Sequence, residues 1–285
     1  MTNRQPQVRS AGPVRPGLLW AAAAPIRAYV RHCPLQRGKG LLVRHVLLPT
    51  LPPNPAVFVA SLPGGGLVHL HPRETIGFAT LLYGGFEMAE ISRAIEGSPQ
   101  GTTTFDVGAN VGIYTVALAR AVGLDGLVVA VEPDPANLRR LRGNLALNSI
   151  GNVRVVEAVA GDRDGTVDLY LADDPAFNSV VAVEGRLARP RGVEVVPSVR
   201  LDEVWDGLGR PTVSFVKIDV EGAEIAVLRG AKQMLATARP SLQVEASDEH
   251  RLALLRSELA PLGYADSPQP GFQPWNHLFL HRGAQ

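Results

Sequence analysis

The chain has little cysteine. Cys33 is its single cysteine among 285 residues, so no internal disulfide can form and no cysteine-based zinc site can be built. Proteins without structural disulfides are typical of reducing compartments, and we therefore expect a cytoplasmic location.

An excess of charge of either sign is also missing. The formal net charge is +1, so no global field attracts nucleic acid or an anionic membrane. Hydrophobic residues make up 46% and charged residues 19% of the chain, which excludes an intrinsically disordered protein. The length admits one large or two small domains, each with a full hydrophobic core. Internal repeats and low-complexity tracts are not found.

No apolar run is long enough to cross a bilayer. The candidate is residues 17–24, which lie between Pro16 and Pro25 and are followed by Arg27 and Arg31. A membrane span needs about 20 apolar residues, so we predict a short helix after a tail, with neither export nor membrane insertion.

Residues 1–100 are predicted to form an N-terminal extension that covers the active site. Prolines cluster at positions 49, 52, 53 and 55 and exclude a helix there. The run P-G-G-G at 63–66 separates apolar stretches at 57–62 and 67–70 and predicts a β-hairpin. Residues 77–95 are predicted to form one helix, which ends at Gly97.

Residues 101–285 alternate between strand and helix patterns. The predicted strands lie at 102–107, 127–131, 153–159, 166–171, 193–196, 213–218, 242–245 and 277–280. Asp134 followed by Pro135 predicts a capped helix start. Continuously apolar strands separated by helices predict an α/β fold whose mostly parallel sheet is covered on both faces. Ligands of such sheets bind beyond the carboxyl ends of the strands.

The stretch D-V-G-A-N-V-G-I-Y, residues 106–114, resembles a nucleotide-binding loop but departs from the dinucleotide pattern. Asn110 and Ile113 occupy the positions of its second and third glycines. Asp106 would repel a diphosphate at short range. A cofactor with positive charges and a ribose fits better, and S-adenosylmethionine has both. A nicotinamide-dependent oxidoreductase stays as the alternative from another enzyme class.

Glu132 follows the next predicted strand. A carboxylate at this place accepts hydrogen bonds from a ribose diol in dinucleotide enzymes. The alternative is that Asp106 only caps a helix and that Glu132 is only a solvated strand end. Because both acids lie at the predicted ligand edge of one sheet, next to the altered glycine pattern, we favour an S-adenosylmethionine site.

Four stretches, Y-G-G-F-E, D-V-G-A-N-V-G-I-Y, V-E-P-D-P and V-K-I-D-V-E-G-A-E, together resemble the FkbM family of S-adenosylmethionine-dependent methyltransferases. The resemblance runs over about residues 62–245. It implies a Rossmann-like class I methyltransferase fold with a seven-stranded sheet, and methylation of hydroxyl groups on secondary metabolites or sugars, with peptide amide nitrogens as the alternative acceptor. It also implies that cofactor-binding residues are Asp106, Gly108, Asn110, Gly112, Glu132, Pro133, Ala158 and Asp219.

Candidate catalytic residues follow the strand at 213–218. Asp219 is the first candidate for placing the cofactor or the acceptor, and Glu221 is the candidate base, since a hydroxyl acceptor gains from losing its proton during attack. Glu87 could contact the acceptor or close over the cofactor, or else lie on a solvated helix face. Glu224 is expected to be a first-turn helix acid.

We expect no metal, because no pair of ligands has a diagnostic spacing. The expected acceptor is a small molecule rather than nucleic acid. Enzymes that methylate the exocyclic amine of a nucleic-acid base carry a D/N-P-P-Y-like turn after the fourth strand, whereas residues 219–222 here read D-V-E-G. Methylation at C5 of a pyrimidine needs a nucleophilic cysteine, and Cys33 lies outside the catalytic domain, so it cannot serve. The acceptor pocket is expected from residues 25–100 and 173–197.

Overall fold

A computed structural model describes residues 22–33, 39–50, 57–180 and 190–283. Most of the apolar stretch at 17–24, three of the clustered prolines and residues 181–189 of the expected pocket segment lie outside these ranges. Among the described residues, no helix is both long and apolar enough to cross a membrane.

The chain forms two compact units. The first comprises the described residues up to Ala60 together with His69–Phe86. Its helices are α1 (Ala24–His32), α2 (Lys39–Leu42), a π-helical turn (Val43–Leu47), a 3-10 turn (Leu48–Thr50) and α3 (Thr75–Tyr83). Its buried core consists of Ala23, Val30, Leu47 and Leu82.

The predicted hairpin is present. Strands β1 (Phe58–Ser61) and β2 (Leu67–Leu70) pair across a turn at Pro63–Gly65. Gly64 and Gly65 take φ of 76° and 85° there, which L-residues with a Cβ rarely adopt.

The single helix predicted over 77–95 is wrong. It is split into α3 and α4 (Met88–Glu96). Gly84 ends α3 in the left-handed region with φ 84°, and Glu87 precedes α4 with φ 48°. The Gly84-Gly85 pair is a turn signal that marks this break in the sequence. The boundary between the two units falls at the same place, and α4 belongs to the second unit.

The second unit comprises Ser61–Val68 and the described residues from Glu87 onward. Its sheet has seven strands in the order β11-β12-β10-β9-β3-β4-β5. These strands are β3 (Thr103–Val107), β4 (Leu127–Val131), β5 (Val153–Val156), β9 (Val213–Ile218), β10 (Ser241–Glu245), β11 (Tyr264–Asp266) and β12 (Asn276–His281). The five strands from β10 to β5 are parallel, and β12 and β11 are antiparallel to their neighbours. The predicted mostly parallel α/β sheet is confirmed.

Helices connect these strands. They are α5 (Ile113–Val122), α6 (Pro135–Leu147), α7 (Leu201–Asp206), α8 (Glu224–Arg229), α9 (Lys232–Ala238), α10 (Glu249–Leu259) and a 3-10 turn (Ala260–Leu262). Asp134 caps α6 as predicted, since its side chain accepts a hydrogen bond from the Ala136 N–H.

A second, three-stranded sheet has the order β6-β8-β7, formed by β6 (Val159–Ala160), β7 (Gly165–Leu171) and β8 (Gly192–Val199). A 3-10 turn, Pro175–Phe177, follows β7. The strand predicted at 153–159 is therefore too long, because the chain leaves the main sheet after Val156. Strand β11 was not predicted, because three residues carry too little periodic pattern.

All five residues of β3 are buried, as a central parallel strand requires. Its Phe105 packs in a core that includes Trp205, Val216 and Met234. Because β3 lies between β9 and β4, the chain crosses over in opposite directions from it, and this switch point is where doubly wound sheets bind ligands.

Candidate active site

The loop after β3 is fastened to both neighbouring strands. The N–H groups of Gly108 and Ala109 each donate to the Val131 carbonyl over 3.0 Å, and the Asp219 N–H donates to the Val107 carbonyl over 3.0 Å. Gly108 has φ +79°, and a Cβ there would lie 1.8 Å from the Asp219 carbonyl oxygen. Only glycine permits this approach, so the loop and the end of β9 form one rigid edge.

Asn110 links this loop to Glu132. It takes a left-handed φ of 51°, which asparagine tolerates better than most residues. Its N–H donates to Glu132 Oε2 over 2.8 Å. Asn110, which replaces a glycine of the dinucleotide pattern, thus connects the loop to Glu132, the carboxylate expected to bind the ribose.

Glu132 is 5% exposed at the end of β4. Its Oε1 accepts hydrogen bonds from the Asp134 N–H at 2.9 Å and from Asn137 Nδ2 at 3.3 Å. Burial raises the pKa of Glu132 to about 7, against the opposing effect of these hydrogen bonds. A carboxylate has about four lone-pair sites over its two oxygens, and three of them are used here, so Oε2 can accept one further hydrogen bond. This arrangement fits one ribose hydroxyl.

Asp106 is completely buried. Its Oδ2 accepts a hydrogen bond from the Thr115 hydroxyl at 2.5 Å, and its Oδ1 has no partner among the described residues. Burial raises the pKa of Asp106, with Lys217 acting in the opposite direction. The carboxyl group lies beneath the loop, and its role toward a cationic cofactor remains a prediction.

The remaining cofactor candidates differ in accessibility. Gly108, Asn110 and Pro133 are half-buried, whereas Gly112 and Ala158 are buried. A Cβ on Gly112 would lie 2.4 Å from Leu141 Cδ1, so this glycine lets α6 pack against the loop.

Three carboxyl groups meet at the carboxyl ends of β9 and β10. One oxygen each of Asp219, Glu221 and Glu245 lies within 4.8 Å of the others, and all three residues are half-buried. Glu221 takes φ 51°, and its carbonyl accepts a hydrogen bond from the Ser179 hydroxyl at 2.7 Å. A non-glycine residue in this backbone region is a form of strain that clusters at functional sites.

Lys217 bonds one member of this group. Its Nζ lies 2.9 Å from Asp219 Oδ2. Burial opposes ionisation of Asp219, but the Lys217 charge and a hydrogen bond with Glu245 outweigh burial and lower the pKa of Asp219. Burial and the Asp219 charge raise the pKa of Glu245 strongly. The Lys217 ammonium already pairs with Asp219 in this group, and we assign no metal there.

Glu87 lies in the interior of the second unit. It is 7% exposed, and its two oxygens accept hydrogen bonds from the Tyr114 hydroxyl and from Asn276 Nδ2, each at 2.9 Å. Burial raises the pKa of Glu87, the strongest opposing influence being Lys217. The interpretation as a solvated helix face is wrong, because both oxygens are engaged in the core.

Glu224 is in the first turn of α8, as expected. It is 4% exposed, and its Oε1 accepts a hydrogen bond from the Gly222 N–H at 2.9 Å. Arg251 pairs with its other oxygen at 3.5 Å. Glu224 therefore holds the turn after Asp219 in shape.

Sequence reasoning missed Lys217, Tyr114, Gln243 and Glu245 as a connected group. The available signals were a lysine within an apolar strand and a glutamate at the end of the next strand. Both became informative only when strand order placed them side by side.

The strand order, with β12 antiparallel beside β10, and the glycine loop after β3 define a class I S-adenosylmethionine-dependent methyltransferase. The model of the Methyltransferase FkbM domain matches residues 106–265, more than half of the chain. The chain belongs to this family, its cofactor is S-adenosylmethionine, and the nicotinamide alternative is set aside.

Curated relatives agree with this assignment. The chain is 28% identical over 162 residues to methyltransferase sdnD of Sordaria araneosa (47% of this chain, 62% of that protein). It is 26% identical over 148 residues to methyltransferase 1 of Beauveria bassiana (46% and 59%). It is 26% identical over 130 residues to 2-O-methyltransferase NoeI of Sinorhizobium fredii (41% and 52%). The matches thus span little more than half of the length of these relatives. A crystal structure of methyltransferase FkbM from Methylobacillus flagellatus aligns with TM-score 0.45 at 21% identity, over 65% of this chain and 44% of that chain.

Proposed function

We propose that the enzyme transfers the S-adenosylmethionine methyl group to a hydroxyl of a small molecule, such as a secondary metabolite or a sugar. The observation that carries this proposal is the group of three half-buried carboxyl groups, Asp219, Glu221 and Glu245, at the carboxyl edge of the sheet. A hydroxyl acceptor gains from losing its proton as it attacks, and a nearby carboxylate can accept that proton.

The residues at this edge of the sheet have different proposed roles. S-adenosylmethionine supplies an electrophilic methyl group on sulfonium, so the protein must chiefly align the acceptor and exclude water. Glu132 and the 108–112 loop would hold the cofactor. Asp219, fixed by Lys217, would place the reactants, and Glu221 would accept the acceptor proton. Glu87 would act from inside the core by fixing Tyr114.

One cavity is lined by α8 and the three-stranded sheet. Its volume is about 440 Å³, and its lining includes Ala223 and Ala226 of α8 and Tyr170 of β7. Ala223 is two residues beyond Glu221 in the chain. Cavities that bind small molecules span about 300–1,000 Å³. Likeness to a protein named as a 2-O-methyltransferase also favours a hydroxyl. The single cysteine supports our proposal of a cytoplasmic location.

The first test measures cofactor binding and methyl transfer. Calorimetry should give heat with S-adenosylmethionine and none with NADH. Incubation with methyl-labelled S-adenosylmethionine and parallel panels of polyhydroxylated compounds and peptide amides should label the hydroxylated panel, as read by mass spectrometry. Labelling of the amide panel alone would make the enzyme an N-methyltransferase, and labelling of added RNA alone would refute a small-molecule acceptor.

With an accepted substrate in hand, Glu221→Gln should lower kcat about 10²–10⁴-fold, the range for loss of a general base. Its affinity for S-adenosylmethionine should stay within about threefold of the wild type, because the backbone of the loop is untouched. Glu203→Gln, at an exposed position on α7, is the matched control. An unchanged kcat in Glu221→Gln would remove it from the chemistry.

A further inference from the structure

Lys217 is an unusual residue for a buried position near the carboxyl end of a central strand. It is 5% exposed. In the parallel registers of β9 it lies beside Asp106 of β3 and Gln243 of β10, so the three side chains project from the same face of the sheet. Burying an unpaired ammonium costs free energy. The groups that pair with the Lys217 ammonium therefore indicate its role.

Several groups face the Lys217 ammonium. Its ion pair with Asp219 Oδ2 is 2.9 Å long, and Nζ lies 4.6 Å from the centroid of the Tyr114 ring, a cation–π arrangement. The Asp106 and Glu87 carboxyl groups also act on it electrostatically. Tyr114 is held by hydrogen bonds to Glu87 at 2.9 Å and from Gln243 Nε2 at 2.8 Å. The ring is thereby fixed beneath the ammonium.

Only one of these acids can face a ligand. The Asp219 side chain is 31% exposed, whereas that of Lys217 is 6% exposed, and Asp106 and Glu87 are buried. One oxygen of Asp219 and one of Glu245 lie within 4.8 Å of each other, and two half-buried carboxyl groups at this separation favour holding one proton between them. Because the Lys217 ammonium forms its ion pair with Asp219, the carboxyl groups of Asp219 and Glu245 have different electrostatic surroundings.

We propose that Lys217 is a positioning residue that fixes Asp219 as the ionised member of the Asp219–Glu245 pair and leaves the shared proton on Glu245. Asp219 then presents a negative charge of fixed orientation to the cationic cofactor, and Glu245 acts as a neutral hydrogen-bond donor. This inference rests on the proposed function, because it assumes that S-adenosylmethionine binds at this edge.

The test compares two neutral substitutions in two backgrounds. Asp219→Asn and Glu245→Gln are each made in the wild-type chain and in Lys217→Met, and S-adenosylmethionine affinity is measured by calorimetry at pH 7. Arg229→Met is the control for loss of an ion-paired cation, since Arg229 pairs with Glu258 on the outside of α8.

In the wild-type background, Asp219→Asn should weaken cofactor affinity by about tenfold or more, since hydrogen bonds and contacts of charged groups are the stronger ones. Glu245→Gln should change it by less than about threefold, because glutamine remains a neutral donor. In the Lys217→Met background, the two substitutions should have similar effects. Two results would overturn the proposal. Either Asp219→Asn and Glu245→Gln lose equal affinity in the wild-type background, or their difference in affinity is unchanged in the Lys217→Met background.

An infrared measurement separates positioning from a purely structural role. The difference spectrum between wild type and Glu245→Gln should contain the carbonyl band of one protonated carboxylic acid at neutral pH. The same difference taken on Lys217→Met should lose much of that band. A band unchanged by Lys217→Met would show that the lysine only supports the fold. The spectra separate Glu245 from the nearby Asp106, Glu87, Glu221 and Glu224 carboxyl groups, because only residue 245 differs.

Failure of the proposed function and failure of the role of Lys217 give different results. If wild-type protein gives no heat with S-adenosylmethionine, the proposed function fails. If it binds but Asp219→Asn and Glu245→Gln are equivalent, only the role of Lys217 fails. Should Lys217→Met not fold, the contrast between the two substitutions in the wild-type chain still decides the assignment of the proton.

Discussion

At the scale of single residues, Glu132 couples the loop to the ligand. It receives the Asn110 N–H at 2.8 Å and the Asp134 N–H at 2.9 Å, so the loop is organised before any cofactor arrives. The same burial that orders it raises its pKa to about 7. If Glu132 holds the ribose as proposed, a ribose hydroxyl donates to the ionised carboxylate, so binding and deprotonation of Glu132 are linked.

We expect S-adenosylmethionine affinity to rise about tenfold between about pH 6 and pH 8, because the pKa of Glu132 in the ligand-free protein is about 7 and binding favours its ionised form. Calorimetry across this range measures the effect. Glu132→Gln should bind more weakly and without this pH dependence, whereas Glu157→Gln, at an exposed position, should behave as wild type. A flat wild-type profile would contradict the role of Glu132.

At the scale of elements, the cofactor loop depends on how closely it approaches β9. Gly108 and Gly101 form a natural comparison: their φ angles are +79° and +78°, but a Cβ on Gly108 meets a carbonyl oxygen at 1.8 Å, whereas one on Gly101 meets nothing within 4 Å. The backbone strain of an L-residue is the same at both positions, and only the steric conflict differs.

Gly101→Ala should therefore cost about 1–2 kcal/mol of stability, the strain of a left-handed alanine. Gly108→Ala should cost at least about 2 kcal/mol more, because the loop must move away from β9, and it should weaken S-adenosylmethionine binding. Thermal denaturation and calorimetry of both variants measure these effects. Equal destabilisation would mean that the loop has room to relax.

At the scale of the whole second unit, the interior holds many carboxyl groups. Burial raises the pKa of Glu87, Asp106, Glu132, Glu224 and Glu245. A group with a raised pKa keeps its proton in the folded protein at a pH where the unfolded chain has released it. Its contribution to stability is full below the unfolded pKa and is lost as pH rises through the folded pKa.

The thermal midpoint of the ligand-free protein should therefore fall as pH rises from about 4.5 to about 7, the window of Glu132. That one group accounts for at most about 3 kcal/mol. Asp164 and Asp248, whose pKa values are lowered by hydrogen bonds, lose their contribution only below about pH 4. Burial lowers the pKa of His277, so this group adds stability as pH rises through the same window and opposes the trend. The difference in thermal midpoint between wild type and Glu132→Gln isolates Glu132 and should fall across the window; a difference that stays constant or rises would contradict the account.

The sequence by itself determined the local features. Strand β9 lies where the apolar run predicted it, at Val213–Ile218, and the Asp134 cap and the hairpin turn at Pro63–Gly65 are also local patterns. Hydrophobic period, caps and turn glycines depend on neighbouring residues, so they can be read without knowing the fold. The quoted motifs likewise led to the correct family and cofactor.

Only the tertiary structure decided the depth and partners of the charged groups. Asp106, which the sequence predicts as a cofactor-binding residue, is completely buried. Glu87 bonds Asn276 across 189 positions of the chain, and Lys217 contacts Tyr114 and Asp219 in one cluster. These relations depend on strand order, register and burial, which bring together residues far apart in the sequence. Because ionisation responds to burial and to nearby charges, the chemistry of the site follows from the packing.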